Sequence, residues 1–169
     1  MNKYIQKNLI RIVLFVAIQV LVFKHVPLGP YAHILFYPLA ILLLPIEMNA
    51  TLLMLIAFLT GLVVDLFYHS LGVHAGAIVL MAFLRPTWLL MLQPHLGYDR
   101  DDAPLASGFG LIWYLQYTSV LIFVFLLAYF SFEAFSFAYL TDILSHTVLS
   151  FVVTMIMVLI HQMIFNPKR

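Results

Sequence analysis

Cysteine is absent from the chain. That excludes disulfides, thiolate metal sites and cysteine nucleophiles, and leaves the compartment open. Charge is nearly as scarce: 9% of the 169 residues are charged, and the net charge is +1. A soluble domain carries about 25% charged residues. So small a net charge provides no basic field for nucleic acid and no acidic tail. The sequence also lacks GxSxG, HExxH and a phosphate-cradling glycine loop, so nothing argues for an enzyme. No internal repeat stands out, which counts against an inverted-repeat transporter. The sequence therefore assigns no catalytic residue, no metal ligand set and no cofactor.

What the chain has in abundance is apolar surface. Hydrophobic residues make up 64% of it, against about 45–50% in a soluble domain. No water-soluble fold hides that much, so the lipid bilayer serves as solvent. The expected class is all-α: a polytopic membrane protein, one integral membrane domain over residues 1–169. Spans need about 20 mostly apolar residues, and six candidates fit, at about 7–23, 31–46, 49–68, 72–91, 110–130 and 141–165. The second is short and contains Pro38, and the fourth is interrupted by Arg85-Pro86. The N-terminus imitates a signal peptide, with Lys3, Lys7 and Arg11 before an apolar run. No small-residue cleavage site follows, so the run reads as a retained first helix.

The connections are short. Residues 24–30 hold two prolines and a glycine, and Asn49 is placed to cap the third helix. The aromatic stretch 131–140 (Phe132, Phe135, Phe137, Tyr139) suits an interface. An even number of spans puts both termini on one side. That side holds Lys3, Lys7, Arg11, Arg100, Lys168 and Arg169, with Arg85 close by, against Lys24 alone opposite. The positive side is cytoplasmic. Both ends are therefore expected in the cytoplasm, with the turn at His69 outside and the acidic loop 99–102 inside.

Few residues are candidates for more than span-building. Asp65 follows Gly61 by four residues and so shares its helix face, which Ala57 extends. Two readings stand: a small-residue packing face ending in a carboxylate that binds a helix or partner, or an interfacial acid solvated by headgroups or capping the next turn. His74 begins the fourth helix among Gly72, Ala75, Gly76 and Ala77. It is placed either to pair with Asp65 across the hairpin, with a proton-relay role open to it, or to face water. Asp142, His146, Ser150 and Thr154 recur every four residues and form one polar ridge on the last helix. Helix packing or partner contact is favoured there; Asp142 with His146 is also an acid–base or metal pair, but two ligands make a weak site. Arg85-Pro86 reads as a helix end or kink whose arginine snorkels to headgroups. Asp99, Asp101 and Asp102 read as a solvated loop, without the spacing of a calcium site.

The stretch Gly61-x3-Asp65-Leu66 followed by Ser70-Leu71-Gly72-x-His74 resembles the bacterial rod shape-determining MreD family. The charged start, the proline-rich first loop and the short second helix ending near Leu44-Pro45 agree. Phe67, Tyr68 and His69 in the turn depart from the family's small residues, and the loop 93–107 is longer and more acidic. The resemblance implies a six-helix bundle similar to the substrate-binding subunits of energy-coupling-factor transporters. It implies a non-enzymatic scaffold or regulatory subunit of the cell-wall elongation complex in the bacterial cytoplasmic membrane. The partners it implies are a bitopic MreC-type protein and, indirectly, MreB filaments and the RodA–transpeptidase pair. Gly61, Asp65, Gly72, His74, Gly76, Asp142 and His146 are then the expected partner-binding or helix-packing residues. The alternative is a vitamin-type small-molecule binding subunit of a transporter, with Asp65, His74, Asp142 and His146 near the outer leaflet.

Overall fold

Long apolar stretches in lipid satisfy their backbone only as helices or closed barrels, and this chain takes the first course. The computed structural model describes residues 3–26, 29, 32–95, 97–98, 103–135 and 139–165. Its helices are α1 (Lys3–Leu21), α2 (Pro38–Leu42), α3 (Ala50–Tyr68), α4 (Val73–Met91), α5 (Ala106–Phe109), α6 (Leu111–Ala134) and α7 (Leu140–Phe165). No strand forms among the described residues. Five helices are long and apolar enough to cross a membrane: α1 with the short 3-10 turn after it, α3, α4, α6 and α7. Asn49 caps α3 as expected, its side-chain oxygen accepting from Thr51 N at 2.9 Å and Leu52 N at 3.3 Å.

The sixth expected helix, over 31–46, is not there. Within it only Pro38–Leu42 is helical, and Tyr31 lies outside the described residues. Proline lacks the N–H that a helix interior needs, and its ring clashes with the carbonyl four residues back. A helix can therefore start at Pro38 but cannot arrive there from upstream. Downstream, Leu43 leaves helical geometry and Pro45 follows two residues later.

The segment is nonetheless the centre of the bundle: every residue from Ile34 to Leu44 is buried. His33 N donates to Ser150 Oγ at 2.9 Å and Leu35 N to Thr154 Oγ1 at 3.4 Å. Those acceptors are one helical turn apart, about 6 Å, so two residues of chain cover one turn and the backbone there is extended. Its other edge faces Gln19, which donates to Ile34 O at 2.8 Å and accepts from Phe36 N at 2.7 Å. The glutamine amide thus stands where a neighbouring strand's peptide group would be.

Irregular backbone is tolerated at membrane depth only when buried in protein and hydrogen-bonded there. The lower half of the segment meets that condition through Arg85 and Tyr117. Arg85 is 1% exposed. It donates to Tyr117 Oη at 2.6 Å, to Leu44 O at 2.5 Å and to Pro45 O at 3.3 Å. Tyr117 Oη in turn donates to Leu42 O at 2.8 Å. Arg11 adds a bond to Leu43 O at 2.8 Å. Arg85 therefore does not snorkel to the headgroups, as its place beside Pro86 led us to expect. The free carbonyls after α2 give its fork more partners than a headgroup would.

The segment runs antiparallel to α1, since residues 34–36 lie against Gln19 and Leu43 against Arg11. Phe15 of α1 packs on His161 of α7 at 5.2 Å between ring centroids. Helix α1 therefore begins, and α7 ends, at the same end of the bundle. Among the described residues the bundle thus holds five long apolar helices and one buried, mostly non-helical segment. Arg100, Lys168, Arg169 and the acidic loop Asp99–Asp102 lie outside the described residues.

Candidate functional site

The turn between α3 and α4 is built from the residues that stood out in sequence. Ala57, Gly61 and Asp65 form one buried stripe on α3. At Gly61 an added Cβ would fall 2.5 Å from Ala75 Cα and 2.8 Å from Ala75 N. The two helix backbones are thus in direct contact, an approach only glycine permits. His69 ends α3 in the left-handed region at φ 56°, and Gly72 opens α4 at φ 81°.

Asp65 locks this turn. Its Oδ1 accepts from Ser70 Oγ at 2.6 Å and from His74 N at 3.0 Å, and its Oδ2 accepts from Ala75 N at 3.0 Å. The first N–H groups of a helix have no partner inside it, and the capping residue, Gly72, has no side chain. Asp65 supplies the missing cap from the preceding helix, where its negative charge also suits the α4 N-terminus. Its backbone oxygen takes the N–H of Ser70 at 3.2 Å. The two readings of Asp65 meet here: it ends a buried packing face and binds the neighbouring helix α4 by capping its first turn, and at 4% exposure it is not solvated by headgroups.

His74 faces neither water nor the Asp65 carboxylate with its ring, so both expectations for its side chain are corrected. Only its backbone N–H meets Asp65. The imidazole is fully buried, shares a hydrogen bond between Nδ1 and Tyr37 Oη at 3.1 Å, and leaves Nε2 without a partner. Tyr68 and Tyr129 pack on it at 4.8 and 4.7 Å. The helical start at Gly72 aims position 74 into the bundle, and the rings around it exclude solvent. Gly76 does not join the α3 contact either: a Cβ there would meet the Phe132 ring of α6 at 3.2 Å.

The expected ridge on α7 divides. Ser150 and Thr154 are buried and hold the extended segment. Asp142, two turns before Ser150, is exposed. His146 is half-buried against Phe130 at 5.4 Å. Asp142, His146 and Glu133 line an open cleft of about 420 Å³ between α6 and α7. No group of three possible metal ligands occurs among the described residues.

Gln19 escaped the sequence reading. It is fully buried and saturated: besides its bonds to Ile34 and Phe36, it donates to Tyr68 Oη at 2.8 Å and accepts weakly from Tyr37 N at 3.4 Å. A lone amide amid Val16-Ala17-Ile18 and Val20-Leu21-Val22 was the available signal, since polar groups inside lipid need partners. Between α1 and α3 lies an apolar groove of about 490 Å³, running from Leu9 to Leu21 on one wall and from Ile56 to Phe67 on the other. Twelve residues of rise give it about 18 Å of length.

No family model, curated protein or solved structure matches the chain. Fold and site define an all-α, membrane-embedded bundle with a threaded core, a capped hairpin and an apolar groove.

Proposed function

We propose that this protein is a non-enzymatic scaffold or regulatory subunit of the bacterial cell-wall elongation complex, of the MreD kind. The hairpin carries the reading. Gly61, Asp65, Ser70 and Gly72, on which the resemblance rests, are all consumed in fixing the turn, and both oxygens of Asp65 are occupied. A motif used this way builds a rigid shape and leaves no acid free for chemistry. The groove between α1 and α3 then takes the single apolar helix of a bitopic MreC-type partner, because helices associate in lipid by packing. MreB filaments and the RodA–transpeptidase pair are engaged through that partner. The chain sits in the cytoplasmic membrane with the Arg11 end inside, as the positive-charge bias requires.

The test is a clean deletion in a rod-shaped host without a paralogue, with tagged protein expressed back. Rounded cells, restored rods and co-purification of an MreC-type protein are expected. Normal rods after deletion would overturn the reading.

A further inference from the structure

The apolar surface of the groove between α1 and α3 continues past the groove itself. On α3 the groove is lined by Leu59, Val63 and Phe67. Leu66 follows Leu59 by two turns on the same helix face and is 75% exposed. Beyond Phe67, in the turn that joins α3 to α4, Leu71 is 100% exposed. Nothing in the chain covers it.

Exposed leucines are ordinary in this chain where lipid tails cover them. Leu71 stands at a different level. The Lys24 ammonium donates to Phe67 O, and lysine carries that group to the headgroups. His69 and Ser70 precede Leu71 in the turn. The leucine thus lies among headgroups and water, where covering it gains the transfer energy of a whole apolar side chain. An apolar surface that runs out of the hydrocarbon into this layer marks an interaction site.

The turn also holds Leu71 in place. Gly72 N donates to Ser70 O at 3.0 Å, which makes Leu71 the centre of a γ-turn, of the inverse kind because its φ is not positive. Ser70 Oγ is tied to Asp65 at 2.6 Å. His69 and Gly72, before and after, are fixed in the left-handed region. The leucine is therefore presented from a set backbone, and little ordering opposes its burial against another chain.

We propose that Leu71, with Leu66 and Phe67, anchors the hairpin end of the partner helix that occupies the groove. That helix continues past the groove and lays an apolar face over the turn. The face is apolar because the three side chains form no hydrogen bonds, and a polar residue set against them is left unpaired. The inference rests on the scaffold reading, which places a single apolar helix of a bitopic partner in the groove.

The test compares tagged full-length wild type with Leu71→Ser and Leu140→Ser, the second an exposed leucine at the start of α7. For each protein the co-purified bitopic partner is quantified and the unfolding midpoint is measured. Leu71→Ser is expected to keep the wild-type midpoint and to lower recovery of the partner about ten-fold or more, as loss of a buried leucine implies. Leu140→Ser is expected to change neither. A photocrosslinking residue at position 71 should give adducts with the protein captured from position 63, and it decides the matter if Leu71→Ser lowers the midpoint. Undiminished recovery with Leu71→Ser, an equal fall with Leu140→Ser, or adducts at 71 with lipid only would overturn this anchor while leaving the scaffold reading intact. Recovery of no bitopic partner by the wild type would overturn both.

Discussion

Replacing Asp65 by leucine puts an apolar side chain of similar reach in place of the carboxylate and removes the cap of α4. Two backbone N–H groups, of His74 and Ala75, then lose acceptors at 3.0 Å. The site is sealed by the α3–α4 contact, so water does not replace them. An unsatisfied buried polar group costs about 1–3 kcal/mol, which puts the substitution at about 2–6 kcal/mol. Asp65→Asn keeps one acceptor oxygen and loses the charge, so about 1–3 kcal/mol is expected by the same reasoning. Ser70→Ala removes only the 2.6 Å hydroxyl bond and costs about 1 kcal/mol. Unfolding midpoints in mild detergent should therefore fall in the order wild type, Ser70→Ala, Asp65→Asn, Asp65→Leu. Equal midpoints for wild type and Asp65→Leu would refute the capping argument, and Asp65 would have to serve something outside the chain.

Three further perturbations address the core and the hairpin. Gly61→Ala must push the α3 and α4 backbones apart, since the added carbon would lie 2.5 Å from Ala75 Cα; overpacking of this kind costs about 1–3 kcal/mol, read as a lower midpoint, and an unchanged midpoint contradicts the close approach. Gln19→Leu strips Ile34 O and Phe36 N of their partner and should cost about 2–6 kcal/mol at about 1–3 for each orphaned group. Its readout is faster amide exchange at Phe36, and unchanged exchange there would oppose the threaded arrangement. Arg85→Met leaves Leu44 O and Pro45 O unpaired beside Tyr117, and Arg85→Lys cannot span the same fork. Both should lower the yield of monodisperse protein, methionine more than lysine; full yield from Arg85→Met would show that the carbonyls find other donors.

Hydropathy revealed the four long helices after the first loop and the apolar first helix, because span length and composition are local properties. The cap at Asn49 and the Ala57–Gly61–Asp65 stripe were legible for the same reason: each follows from spacing within one turn or one helix. The threaded segment was not. The apolar run 31–46 reads as a short membrane helix on composition, and Pro38 reads equally as a kink or as a start. What decides is whether distant side chains satisfy the exposed peptide groups, and those come from Gln19, Arg85, Tyr117, Ser150 and Thr154. Ser150 lies 117 residues from the N–H it accepts, a pairing that no local pattern announces. His74 failed in the same way: its neighbours in sequence are small, whereas its neighbours in space are tyrosines from three other parts of the chain.

The central claim is that the face between α1 and α3 holds a partner helix while the outer face of α7 meets lipid. Val13, Val63 and Val152 are all exposed apolar positions, the first two on the groove and the third on α7. A photocrosslinking residue placed at each in living cells tests the claim directly. Adducts at positions 13 and 63 with one bitopic MreC-type protein, and none at 152, are the predicted result. Adducts with that protein at 152 but not at 13 or 63, or none at any position, would contradict the claim.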